Sequence, residues 1–189
     1  KIGQHSSDTA ELFFSDLRVP ADALLGEEGK GFKLAMEGLD GGRLNIASCS
    51  VGTATASLKA ATEYVQARKQ FTQAISEFQA TQFKLADMLT ELSASRQMIR
   101  YAAFKLDQNH PDKTAFCAMA KRFATDAGFR ICDEALQLHG GYGYIKEYPI
   151  ERHFRDTRVH RILEGTNEVM RLIIARRILS DGNFSILHE

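Results

Sequence analysis

The 189 residues carry 24 Lys plus Arg against 24 Asp plus Glu, for a formal net charge of zero, with 44% hydrophobic and 25% charged residues. That is enough chain for one hydrophobic core of ordinary size, and the charge balance gives no electrostatic basis for binding DNA, RNA or an anionic membrane. No apolar run reaches the roughly 18 residues that a membrane-spanning helix needs. The cysteines Cys49, Cys117 and Cys132 are an odd set without CxxC spacing. They argue against a disulfide framework or a zinc site and read as buried free thiols in a reducing compartment.

The chain opens Lys1-Ile2-Gly3, with no initiator Met and no signal or transit pattern, and reads as part of a longer protein. Residues 1–28 differ from the rest. Thr9-Ala10-Glu11-Leu12-Phe13-Phe14 has β-type side chains and Arg18-Val19-Pro20 breaks the pattern. One or two strands cannot form a stable sheet alone, so this stretch is expected to be the tail of a preceding β-rich domain and its linker.

From residue 29 the signal is helical. Phe32-Lys33-Leu34-Ala35-Met36 begins a short helix that Asp40-Gly41-Gly42 is expected to interrupt, and a long Ala/Ser/Thr-rich helix follows from about Arg43 to Arg68. Its small residues allow a neighbouring helix to come close. From Leu85, the positions Leu89, Leu92, Ile99, Ala103 and Leu106 form one helical stripe, with Arg96 inside it as a structural, snorkelling or paired cation. Asn109-His110-Pro111-Asp112 is a turn suited to starting a helix. Phe116, Met119, Phe123, Ala127, Ile131, Ala135 and Leu138 mark the next helix, which Gly140-Gly141 stops. A short charged helix is expected over about 150–158, and a last one from about Thr166 to Leu179. The expected fold is all-α: an antiparallel four-helix bundle over 29–189, preceded by the β-domain remnant at 1–28.

No P-loop, dinucleotide-binding glycine pattern, HExxH or GxSxG occurs. His5, His110, His139, His153, His160 and His188 are scattered, and no metal site is expected. Four short segments carry more information. Arg68-Lys69-Gln70-Phe71 taken alone is a charged helix end. Gln137-Leu138-His139-Gly140-Gly141-Tyr142-Gly143-Tyr144 taken alone is a helix stop, although its glycines would let a phosphate approach backbone N–H groups. Arg155-Asp156-Thr157-Arg158 reads by default as a solvated face, and Ile162-Leu163-Glu164-Gly165-Thr166-Asn167-Glu168 as a loop feeding a helix N-terminus.

In this order and spacing, together with Gly29-Lys30-Gly31-Phe32 and Gln79, these segments resemble the acyl-CoA dehydrogenase family across essentially the whole chain. Asp40-Gly41-Gly42-Arg43-Leu44-Asn45-Ile46-Ala47-Ser48 and Val159-His160-Arg161-Ile162-Leu163-Glu164 are most similar to its isobutyryl-CoA dehydrogenase branch. The resemblance implies a subunit with an N-terminal helical domain, a middle β-domain and a C-terminal four-helix bundle, of which this chain holds the end of the second and all of the third. It implies α,β-desaturation of an acyl-CoA, with FAD as cofactor and an electron-transferring flavoprotein as acceptor.

Residue by residue, the resemblance assigns Glu164 as the base that takes the α-proton. An α-C–H beside a thioester is a poor acid, so such a base needs a dry setting that strengthens its hold on a proton. Its backbone N–H would help polarise the thioester carbonyl. Some family members carry the base beside the position of Arg43, where this chain has Gly41 and Gly42. Arg68 is assigned to the FAD pyrophosphate, with Phe71, Phe78 and Gln79 lining the same dinucleotide. Gln137, Leu138, His139, Gly140 and Gly141 would act on it across a subunit interface. Thr166, Asn167 and Glu168 would meet FAD at a helix N-terminus, Glu168 through its backbone or stem. Asp40, Gly41, Gly42, Arg43 and, more weakly, Arg176 would contact the acyl-CoA.

Two other readings stay open at this point: an acyl-CoA oxidase of the same fold, and a non-catalytic helical bundle that oligomerises. The 189 residues by themselves are expected to hold FAD weakly and to be inactive. A homotetramer or dimer is expected, located in the mitochondrial matrix if the source is eukaryotic and in the cytoplasm if it is bacterial.

Overall fold

The computed structural model describes residues 1–180 and 185–188. Its elements are α1 (Gly31–Ala67), a hairpin of β1 (Lys69–Gln70) and β2 (Gln73–Ala74), α2 (Gln79–Asp107), α3 (Lys113–His139), α4 (Ile150–Thr157) and α5 (Asn167–Ser180). α3 lies at the centre and packs against α1, α2, α4 and α5. Among the described residues, no helix is long and apolar enough to cross a membrane.

The contact between α1 and α3 is built from small side chains. Ala47, Ser50, Ala54, Ser57 and Ala61 are fully buried along one face of α1, opposite Ala120, Ala124, Ala127, Ile131 and Ala135 of α3. The two backbones come close enough that a Cβ on Gly128 would lie 3.1 Å from that of Ser50. Met88 and Leu92 of α2 close one part of the core, and Ala102 of α2 closes another around Phe116 and Cys117. Arg96 donates to Thr55 Oγ1 at 2.9 Å, a structural tie between α2 and α1. α4 and the 3-10 turn that follows it (Arg158–Arg161) are fastened to α1 by bonds one heptad apart on α1, Ser57 Oγ to His153 Nδ1 at 3.0 Å and Ser50 Oγ to His160 Nδ1 at 2.8 Å.

Two expectations from the sequence change here, and one element appears that was not expected. The Asp40-Gly41-Gly42 break does not occur: α1 runs unbroken for 37 residues, about 55 Å. Thr9–Phe14 pairs with no strand, and Leu12, Phe13 and Phe14 are exposed. A strand is held by its neighbours, and among the described residues none lies beside it. The β-pairing that does form is the unforeseen hairpin, with Lys69 opposite Ala74 and Gln70 opposite Gln73. Finally, Cys117 and Cys132 are buried free thiols but Cys49 is exposed. Burial pushes the Cys117 thiol up to about 12, which leaves it unreactive.

Candidate active site

After α4 the chain makes a tight 3-10 turn (Arg158–Arg161) and then reverses through Ile162–Thr166 into α5. The reversal places two consecutive residues in the left-handed region, Glu164 at φ +57° and Gly165 at φ +89°. For Glu164 this conformation costs roughly 1–2 kcal/mol. At Gly165 the positive φ favours glycine, and a Cβ there would also press on Met170 Cε at 2.7 Å. The turn carries the Glu164 side chain onto α1. A Cβ on Gly42 would come within 2.7 Å of Glu164 Cδ and closer still to Oε2, so the carboxylate rests on bare backbone. Gly41 faces open space. Glu164 is exposed on this chain, which differs from the dry setting that the chemistry requires. Gly42 covers only one side of the carboxylate.

Beneath the turn lies Lys121 of α3, fully buried. Its ammonium donates to the Gly165 carbonyl at 2.7 Å and to Asn167 Oδ1 at 2.8 Å. Burial pulls its pKa down from 10.5 to about 8, against the opposing pull of Asp126 and Glu168. Asn167 in turn donates to Asp126 Oδ1 at 2.9 Å and to Thr125 Oγ1 at 3.0 Å. Asp126 also pairs with Arg161 at 2.8 Å and Arg171 at 3.3 Å. The Asn167 side chain therefore points inward. Its backbone and those of its neighbours, at the start of α5, remain for contact with a cofactor. Thr166 Oγ1 accepts from the Val169 N–H at 3.3 Å and caps the helix, while Glu168 is exposed.

On α1, two residues before Gly42, Asp40 accepts from Arg43 Nη1 at 2.6 Å and from Thr114 Oγ1 at 2.7 Å. Its carboxylate thus faces protein, an inward role that the sequence did not indicate. Arg43 Nε is buried and is the one such side-chain atom among the described residues without a hydrogen-bond partner. A buried donor of this kind suits an acceptor brought by a ligand. Arg176 is exposed on α5 and forms no ion pair among the described residues.

The other predicted residues gather at the far end of α1. Arg68, Gln137, Leu138, His139, Gly140 and Gly141 line one open groove of about 440 Å³. A Cβ at either Gly140 or Gly141 would meet nothing within 4 Å, so the backbone here is accessible to a ligand. The Arg68 guanidinium lies 5.5 Å from the centroid of Tyr142 and forms no ion pair among the described residues. Phe71 and Phe78 meet edge-on at 6.4 Å across the hairpin, and exposed Gln79 begins α2. Sequence reasoning missed the aromatic wall behind this groove. Tyr64 stacks on His139 at 4.4 Å and meets Tyr148 edge-on at 6.0 Å, and burial raises the Tyr64 pKa. The available signal was the spacing of Tyr64 and Arg68, one helical turn apart. An unpaired forked cation, open glycine backbone and stacked rings fit a flavin dinucleotide's phosphates and aromatic base.

The two clusters are separated by the length of α1 between Gly42 and Arg68, about 39 Å at 1.5 Å per residue. A single dinucleotide does not bridge that distance, so within one chain the groove and Glu164 lie beyond the reach of one such molecule. Among the described residues, no cluster of metal-ligating side chains forms.

The architecture defines a helical domain that combines a carboxylate on a strained turn with an open groove lined by an arginine and bare glycine backbone. Residues 29–179 match the family model described as "Acyl-CoA dehydrogenase, C-terminal domain", and the chain belongs to this family. It is 54% identical over 183 residues to the mitochondrial isobutyryl-CoA dehydrogenase of Dictyostelium discoideum, covering 97% of this chain and 44% of that protein. The solved structure of butyryl-CoA dehydrogenase from Megasphaera elsdenii superimposes with a TM-score of 0.90 at 46% identity, over 95% of this chain and 46% of that one. A structure titled for the electron transferring flavoprotein of Acidaminococcus fermentans matches with a TM-score of 0.91 at 46% identity, over 96% and 47%. The chain thus spans less than half the length of the relatives it matches.

Proposed function

We propose that this chain is the base-bearing helical domain of an FAD-dependent acyl-CoA dehydrogenase that desaturates a short, branched acyl-CoA. The carrying observation is the left-handed Glu164–Gly165 turn, which sets a carboxylate against the bare backbone of Gly42. The identity to isobutyryl-CoA dehydrogenase supports the choice of substrate.

In this reading the thioester lies over Gly41 and Gly42, and Glu164 removes the α-proton as general base. The Glu164 N–H donates to the thioester carbonyl as negative charge develops there. Arg43 Nε supplies a further buried donor. FAD, when bound, would supply the two-electron acceptor for the β-hydrogen, which leaves the substrate as hydride. The exposed carboxylate becomes dry only when substrate and flavin close over it. Arg68 and the Gln137–Gly141 backbone hold the dinucleotide of a neighbouring subunit, which implies a dimer or tetramer. An electron-transferring flavoprotein is the acceptor, and the compartment is the mitochondrial matrix or the bacterial cytoplasm.

The test is turnover of the complete protein with isobutyryl-, butyryl- and 2-methylbutyryl-CoA, using either the flavoprotein acceptor or oxygen. Isobutyryl-CoA with the flavoprotein acceptor should be preferred. Oxygen as the better acceptor would indicate an oxidase instead. Glu164→Gln should lose at least the roughly 10²–10⁴-fold supplied by a positioned base, and near-normal turnover in that variant would sink the assignment.

A further inference from the structure

Lys121 is out of place by ordinary rules. A lysine is almost never fully buried unless its charge is matched, yet Lys121 is fully buried in the middle of α3. The bonds from its Nζ do not go directly to a carboxylate. They go to the carbonyl of Gly165, the residue after Glu164 in the strained turn, at 2.7 Å, and to Asn167 Oδ1, at the start of α5, at 2.8 Å. A bundle core needing only stability would gain more from an apolar residue here, because an isolated buried ammonium is expensive and hydrophobic replacement is often neutral or stabilising.

Left alone, the turn has reasons to relax. Glu164 is in a left-handed conformation disfavoured for any residue with a Cβ, and its side chain is exposed. The anchors on either side of it are unequal. On the N-terminal side, the Ile162 and Leu163 N–H groups both bond the Val159 carbonyl at 2.8 and 3.0 Å. On the C-terminal side, the Gly165 carbonyl receives the bond from Lys121. The Asn167 side chain joins that bond to Asp126, which also pairs with Arg161 and Arg171. Lys121 is the point where this buried network reaches the carbonyl of Gly165, the residue after Glu164.

We infer that Lys121 is a positioning residue for the base: by fixing the Gly165 carbonyl it holds Glu164 and Gly165 in their left-handed conformation and so fixes the carboxylate against Gly42. The inference rests on the reading of Glu164 as base, and it assigns Lys121 no contact with the substrate.

The decisive variant is Lys121→Met, which keeps the length and volume but removes the donor and the charge. In the complete flavin-loaded enzyme, kcat normalised to bound flavin should fall about 10- to 100-fold, with KM changed less than threefold, as expected when a base is misplaced without loss of ground-state binding. Exchange of the bound substrate's α-hydrogen with deuterated solvent should slow in parallel. Backbone hydrogen–deuterium exchange of residues 160–170 should accelerate at least tenfold, while α1 and α2 keep wild-type protection. If Lys121→Met does not fold, Lys121→Gln carries the same measurements.

Unchanged kcat would overturn the inference whatever the loop does. So would a kcat loss accompanied by faster exchange across the whole bundle, because that pattern marks general destabilisation. If the wild type turns over no acyl-CoA, the proposed function fails instead, and the local exchange of residues 160–170 still decides whether Lys121 holds the turn.

Discussion

The carboxylate of Glu164 occupies the space into which a side chain at Gly42 would project, with Cδ only 2.7 Å from the ideal Cβ position. Gly42→Ala therefore tests the site without harming the fold. An interior helix position prefers Ala to Gly by roughly 1 kcal/mol, and the displaced atoms belong to the end of a flexible side chain. The variant should melt at or above the wild-type temperature yet lose on the order of 10²-fold in kcat, the scale of a 1 Å misplacement. Wild-type turnover in Gly42→Ala would show that the carboxylate works from another position.

Arg68 makes a separable prediction at the far end of α1. Its guanidinium forms no ion pair among the described residues and faces the open groove beside Tyr142. Arg68→Ala should change stability by no more than about 0.5 kcal/mol, as is usual at the surface. It should nevertheless release FAD during gel filtration. Arg68→Lys should retain FAD only partly, since a point charge cannot replace a forked, bidentate donor. Full flavin content in Arg68→Ala, read from the visible absorbance, would remove Arg68 from the cofactor site.

The sequence made the long helices legible because their apolar steps are regular, as from Phe116 to Leu138, and because Gly140 ends α3 where a positive φ is needed. It misled at Asp40-Gly41-Gly42, where glycine propensity argued for a break. Tertiary bonds outweigh that propensity here: Asp40 is fixed by Arg43 and Thr114, and Gly42 is kept bare by Glu164. The hairpin was hidden because its two-residue loop, Phe71–Thr72, takes φ values of +50° and +73° without the Asn-Gly or Asp-Gly signal. The candidate site was legible as a set of motifs. Lys121 and Asp126 were not, because a buried charge matched by residues about 40 positions away leaves no local pattern.

His153 and His160 predict an acid limit to stability. Burial is the main cause lowering both pKa values below 6.5, the second cause for His153 being nearby Arg152, while Asp156 pulls the other way at both. Around these rings lie the hydroxyls of Ser57 and Ser50, the Gln4 amide and, for His160, the charge of Lys121. The unfolded chain takes up protons near pH 6.5 while the folded chain resists, so stability falls as pH drops below about 7. The slope is at most about 1.4 kcal/mol per pH unit for each histidine. Urea unfolding between pH 7.5 and 5.5 should show this loss, and His160→Asn should make the profile shallower. A His160→Asn profile as steep as wild type would contradict the assignment.

Lys121 predicts the opposite pH window. Its pKa is about 8 when folded and 10.5 in the ordinary state, so below pH 8 the folded protein carries a buried ammonium that the unfolded chain holds in water. That penalty is constant below pH 8 and is relieved as pH rises from 8 to 10.5, where the unfolded chain binds more protons. It amounts to at most about 3.4 kcal/mol. Lys121→Met lacks the penalty at every pH but also lacks the bonds to Gly165 and Asn167, which a neutral amine still makes. The stability of Lys121→Met relative to wild type should therefore be greatest near pH 7 and decline by up to about 3.4 kcal/mol towards pH 10.5. Taking the difference between the two proteins cancels the titration of all other lysines and tyrosines. A difference that stays flat across that range would mean that Lys121 pays nothing for its burial, and would leave the turn at Glu164 without the cost that its anchoring implies.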